Sequence, residues 1–157
     1  MSYKSICTHR NQIYAIASGP LKPQEIVSFD SDLNFRTRYK PNFMEFNIND
    51  ISIGESNYYP SSNGELVHAF YYSPKNSQYT DNSCKLPPTI FLCHGGPTSA
   101  TNSSLNFKIQ FWTSRGFAVL DINYRGSSGF GKKYRARLKN NWGIFDIQDI
   151  HYAAIYF

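Results

Sequence analysis

The chain has 157 residues, of which 41% are hydrophobic and 17% charged. That length suits one ordinary domain or parts of two, and the composition excludes wholesale disorder. The net charge of +5 lies wholly in residues 61–157, since acids and bases balance before residue 61.

Residues 5–8 and 13–18 read as short strands around a turn at residues 9–12. Residues 19–23 hold Pro20 and Pro23 and are expected to form a loop outside any ladder. Residues 25–29 make another strand, and Asp30-Ser31-Asp32 a turn. Two or three such strands cannot bury a face by themselves, so they are expected to be part of a larger β assembly. Residues 36–50 show little periodicity and are expected to be a connection.

From Ile51 the pattern sharpens. Residues 57–60 and 65–72 are strands around the turn residues Ser61-Ser62-Asn63-Gly64. Residues 73–88 are polar, with proline near both ends, and form a surface loop. Residues 89–93 are a short apolar run expected to be a buried strand, followed by His94-Gly95-Gly96-Pro97. Residues 98–104 are rich in Ser, Thr and Asn and suit a helix cap. Leu105, Ile109, Phe111 and Trp112 then have helical spacing, and Gly116 is a stop. Residues 117–123 are a second buried strand and 125–131 a Gly/Ser loop. Residues 134–140 and 146–157 are helical, the latter with Ile147, Ile150 and Ala154 on one side. Strand, loop, helix repeated from Thr89 is the unit of an α/β domain with a parallel sheet.

The glycines after His94 let the backbone approach a ligand closely, so N–H groups there can point at a developing oxyanion. A plain tight turn is the competing reading. Pro97 has no N–H, which leaves Gly96 as the expected donor and Gly95 as the alternative. The stretch from Asn123 to Gly131 ends the next strand, where α/β sites lie. Arg125 can hold a substrate carbonyl or carboxylate, or pair with an acid and fix its loop. The basic run Arg125, Lys132, Lys133, Arg135, Arg137 and Lys139 has no aromatic array or nucleic-acid motif, so a solvated helix face is expected and no nucleic-acid partner. Cys7, Cys84 and Cys93 are odd in number and unframed, which points to a reducing compartment. No run reaches the ~18 apolar residues of a membrane span, and residues 1–16 lack the pattern of a secretory signal. A cytoplasmic protein with no membrane contact is expected. The histidines and cysteines do not match zinc-ligand spacing, so no metal is expected.

Four motifs, His94 to Pro97, Phe111 to Leu120, Asn123 to Gly131 and Trp142 to Asp146, resemble the prolyl oligopeptidase family, in particular its acylaminoacyl-peptidase and dipeptidyl-aminopeptidase branch. The resemblance is strongest over residues 87–157 and weakest before residue 45. It implies an α/β fold, the N-terminal part of an α/β-hydrolase domain (residues 46–157) preceded by closing strands of a β-propeller (residues 1–45). It implies a serine peptidase acting on short peptides through Ser, Asp and His in that order, with no cofactor. His94 would support the oxyanion loop, and Tyr124 and Arg125 would contact the peptide. The family's nucleophile sits in a Gly-x-Ser-x-Gly elbow, and no such pattern occurs in this sequence. The chain is therefore expected to be cut before its nucleophile and inactive alone. A non-catalytic module that associates with a related full-length peptidase, or a gene remnant, is the alternative.

Overall fold

A computed structural model describes residues 1–42, 46–80, 85–96 and 98–157. The expectations for Pro97 and Cys84, and the boundary between residues 45 and 46, fall on or against residues outside this set.

The first sheet is an antiparallel meander, β1 (Ser2–His9), β2 (Gln12–Gly19), β3 (Lys22–Phe29) and β4 (Phe35–Tyr39), in chain order. Arg10 and Asn11 both have positive φ, 46° and 58°, and join β1 to β2 in a two-residue hairpin that matches the strands' twist. Ala15, Ala17 and Val27 form its small core with Phe29 packed against them. Two expectations are corrected here. Pro23 lies inside β3, where a register irregularity between Ala17 and Gly19 spares the ladder the missing N–H. Residues 35–39 are a strand and not a connection, because they pair with β3 although their own side chains are all exposed. A four-stranded antiparallel meander is the shape of a propeller blade.

The second sheet is mixed. β5 (Glu55–Pro60) and β6 (Leu66–Tyr72) form a hairpin, β6 runs antiparallel to β8 (Ala118–Asn123), and β8 runs parallel to β7 (Thr89–Cys93). The order is β5-β6-β8-β7. All six residues of β8 are buried, because helices cover both faces of the sheet. Val119 packs with Ile109 and Trp112 of α1 (Phe107–Thr113). Leu120 and Ile122 face the other way, into a cluster with Tyr59, Val67, Leu138 and Ala153 of α3 (Phe145–Tyr156). The period-two alternation of one strand thus serves two cores.

β7 is half-buried rather than buried, since it lies at the sheet's edge among the described strands. The cap of α1 is Asn106, whose side chain accepts from Lys108 N. The short helix α2 (Gly131–Ala136) begins earlier than residue 134. On α3 Asp149 and Ala153 are buried and Ile150 packs against the same core, while Ile147 is 60% exposed and Ala154 is also exposed. The helix is turned this way because Asp149 has a buried partner. The two sheets meet where Leu105 N donates to Gly19 O at 2.8 Å and the Ser18 and Ser104 hydroxyls lie 2.9 Å apart. Taken together, the architecture is an α/β-hydrolase start preceded by propeller-type strands.

Candidate active site

The parallel pairing of β7 and β8 brings their C-terminal ends side by side, with Cys93 opposite Ile122. The loops that follow therefore meet, and both carry predicted site residues. The His94 and Tyr124 rings stack with centroids 4.4 Å apart. Tyr124 Oη donates to His94 O at 3.1 Å and to Gly96 O at 2.9 Å. The ring is buried, and burial is the main reason its phenol is shifted upward, with Cys93 and Asp146 adding to the shift. It is therefore a protonated donor at neutral pH. Its hydroxyl serves the loop backbone, where the sequence had suggested contact with substrate.

Gly95 and Gly96 are exposed. Gly96 has φ of +65°, a left-handed conformation that favours glycine. Among the described residues, neither glycine's N–H has an acceptor. Two unclaimed N–H groups in an anchored, exposed loop are what an oxyanion donor needs.

His94 Nε2 lies 2.7 Å from Ser127 Oγ. A serine and a histidine at that distance resemble an activated nucleophile, but the hydrogen bonds run the wrong way. Ser127 Oγ donates its one proton to Tyr124 O at 2.7 Å, so His94 Nε2 must be the donor to Ser127. Ser127 is also 0% exposed. The pair fixes the loop. Ser128 N donates to Ser99 O at 2.9 Å and ties the same two segments together again.

Arg125 is 1% exposed and its guanidinium is turned toward Asp149 of α3. Its Nε and Nη2 each lie 2.8 Å from Asp149 Oδ1, and its backbone N–H donates to Asp149 Oδ2 at 2.7 Å. Nη2 also donates to Ser62 Oγ at 2.7 Å, and the Phe145 ring stacks 4.2 Å from the guanidinium carbon. Of the two roles open to Arg125, pairing with an acid is the one this arrangement realises. It leaves no guanidinium face for a substrate within the described residues.

A third network lies behind the loop. Thr101 N donates to Asn123 Oδ1 at 2.8 Å, which orients the amide so that Nδ2 donates to His68 Nδ1 at 3.1 Å. His68 Nε2 lies 2.9 Å from Ser56 Oγ. Asp121, on the same face, accepts from Thr101 Oγ1, and burial raises its pKa against that hydrogen bond. Cys93 is exposed at the end of β7, yet partial desolvation by its neighbours and then Asp121 and Asp146 push its thiol up to about 11, which disfavours the thiolate at neutral pH. No three His, Cys, Asp or Glu side chains converge as a metal site among the described residues.

His94, Gly95, Gly96 and Tyr124, which the sequence singles out on two separate loops, lie side by side at the ends of β7 and β8. The sequence shows no partner for Asp149 on its helix, and Ser127 has the wrong spacing for a nucleophile elbow, so neither stood out. Asp149 could have been found from its spacing, since Phe145, Asp149 and Ala153 share a helix face at intervals of four.

Residues 103–157 match the profile of the prolyl oligopeptidase family. This part of the chain belongs to the prolyl oligopeptidase family. The chain is 31% identical over 128 residues to dipeptidyl-peptidase 4 of Giardia intestinalis, covering 79% of this chain and 15% of that protein. It is 41% identical over 63 residues to acylamino-acid-releasing enzyme 1 of Oryza sativa subsp. japonica, covering 40% of this chain and 8% of that one. It thus spans a small part of the curated relatives it matches. Among solved structures, a puromycin-hydrolyzing peptidase of Mycobacterium tuberculosis superposes with a TM-score of 0.88 at 30% identity, over 96% of this chain and 23% of that one. The family's fold is therefore present from the first strands onward. No helix among the described residues is long and apolar enough to cross a membrane.

Proposed function

We propose that this chain supplies the oxyanion side of a serine peptidase site that cleaves short peptides, or acylated or dipeptide N-termini, by acyl transfer to a serine. Residues 46–157 would be the hydrolase portion and residues 1–45 the closing propeller strands. The observation that carries this reading is the pair of N–H groups at Gly95 and Gly96, without an acceptor among the described residues and held at the end of β7 by Tyr124. As a scissile carbonyl becomes tetrahedral, its oxygen gains charge. A backbone donor already aimed there stabilises that charge without reorganising, and one such donor contributes about 10²–10³ in kcat. Gly96 is the donor we favour and Gly95 the alternative. No cofactor is needed for this chemistry. Three cysteines without framework spacing support a reducing, cytoplasmic setting.

The nucleophile is not supplied by this chain. Its sequence holds no Gly-x-Ser-x-Gly, and Ser127 is buried with its proton committed to Tyr124 O. The purified chain is expected to show no stoichiometric labelling by a fluorophosphonate probe, and labelling would overturn this point. The oxyanion role is tested in a hybrid in which this chain replaces the matching 23% of the puromycin-hydrolyzing peptidase. The hybrid is expected to hydrolyse peptide substrates, and Gly96→Ala to lower kcat. A folded hybrid without activity would refute the reading.

A second reading is a non-catalytic module that binds a related full-length peptidase. It is favoured by the edge position of β7 and by exposed Ile147 and Ile155 on α3. Failure to recover such a peptidase with the tagged chain would count against it.

A further inference from the structure

Tyr124 makes an unusual pair of hydrogen bonds. One hydroxyl shares its single proton between the carbonyls of residues two apart, His94 at 3.1 Å and Gly96 at 2.9 Å. A trans peptide holds its C=O and N–H on opposite sides. Drawing the His94 carbonyl toward Tyr124 therefore turns the Gly95 N–H away from it, toward the exposed side of the loop. The same hydroxyl also holds the Gly96 carbonyl. The peptide between Gly95 and Gly96, which carries the Gly96 N–H, is thus held between two anchored neighbours.

The loop has few other restraints. A Cβ built on Gly95 or Gly96 would meet nothing within 4 Å, so the space on the Cβ side of both residues is open. Two glycines in open space lose more conformational entropy on ordering than any other pair. The remaining anchor is His94, whose ring is held by stacking on Tyr124 and by Ser127, itself bonded to Tyr124 O. Tyr124 thus carries the restraints nearest the two glycines, while Ser128 N–H to Ser99 O ties the segments together further along.

We propose that Tyr124 is the positioning residue of the oxyanion loop: a phenol clamp that presets the Gly95 and Gly96 N–H groups and touches no substrate itself. This rests on the peptidase reading for its purpose, though the clamp can be measured without it. Preset donors act at full strength because they need no reordering as charge develops. The hydroxyl is the active part of the clamp, since the ring alone would stack on His94 but leave both carbonyls free to turn.

The test is backbone ¹⁵N relaxation on the full 157-residue chain, unmodified and as Tyr124→Phe. Phenylalanine keeps the ring and removes the hydroxyl. The order parameters of the Gly95 and Gly96 amides are expected to fall from about 0.85 to below about 0.6. Those of Ala118 to Asn123 in β8 are expected to stay unchanged. Unaltered order at both glycines would overturn the clamp, and so would a general loss of order through β8, which marks an ordinary core residue. Should Tyr124→Phe not fold, 3,5-difluorotyrosine at position 124 gives the same measurement by pH. Its phenolate cannot donate, so Gly95 and Gly96 should lose order reversibly on ionisation, and retained order would refute the clamp. In the hybrid enzyme, Tyr124→Phe is expected to lower kcat between about 10-fold and 100-fold, with KM unchanged. A rise in KM with kcat intact would instead make Tyr124 a substrate contact and overturn the proposal. An inactive unsubstituted hybrid beside the expected relaxation result would refute the peptidase reading and leave the clamp standing.

Discussion

Arg125 and Asp149, 24 residues apart, form a buried ion pair in which the carboxylate takes the arginine's backbone N–H on one oxygen and its guanidinium on the other. Ser61 Oγ adds a hydrogen bond to Oδ1 at 2.5 Å, and Tyr59 Oη donates to the Asp149 carbonyl at 2.9 Å. The pair joins the loop after β8, the turn after β5 and helix α3. It thereby holds the base of the loop on which Tyr124 sits.

Removing one partner should be far worse than removing both. Asp149→Ala leaves a guanidinium buried without its anion, and a loss of about 3–5 kcal/mol is expected. Arg125→Met should cost a similar amount through the uncompensated carboxylate. The double variant Arg125→Met with Asp149→Leu should recover much of that loss, because no buried charge remains. Urea unfolding of all four proteins checks this, and additive losses would show that the pair is not coupled.

Gly126 follows the pair and has φ of +109°. A Cβ there would lie 2.6 Å from Leu138 Cβ and 2.7 Å from Leu138 Cδ2, inside the core. Gly126→Ala is expected to cost roughly 2–5 kcal/mol, from strain at positive φ and from overpacking. Gly96→Ala carries the strain without the collision, so it should cost only about 1–2 kcal/mol. Thermal or urea unfolding should rank them in that order. Equal costs would mean that Leu138 moves aside freely.

His68 is buried among Tyr58, Phe70 and Phe130, and burial lowers its pKa from 6.5. Its Nδ1 accepts from Asn123, so protonation there would also break a hydrogen bond. The unfolded chain takes up this proton at a higher pH than the folded chain. Stability from this site is therefore complete above about pH 6.5 and is lost as pH falls toward the lowered folded value. Unfolding free energies between pH 7.5 and 5 should decline accordingly, and His68→Leu should flatten the decline. An NMR titration that places His68 above 6.5 would contradict the assignment.

Much of this was legible in the sequence because it depends on local chemistry. Alternating and continuous apolar runs marked β2, β6, β7 and β8, turn residues marked the hairpins, and glycines marked the loops after β7 and β8. His94, Gly95, Gly96 and Tyr124 could be named because each follows a strand end, and parallel strand ends converge. What only the tertiary structure decided was the partner of each polar group. Periodicity suggested that Ile147 faces inward on α3, yet Asp149 does, because a buried arginine from another strand end was waiting for it. Residues 35–39 became a strand through the open edge of β3 rather than through their own pattern. Ser127, His94 and Tyr124 acquired their hydrogen-bond directions only when β7 and β8 lay side by side. Hydrophobic pattern reports which surface leaves water. The pairing of buried donors with acceptors depends on distances between segments far apart in the chain, and those exist only once the chain has folded.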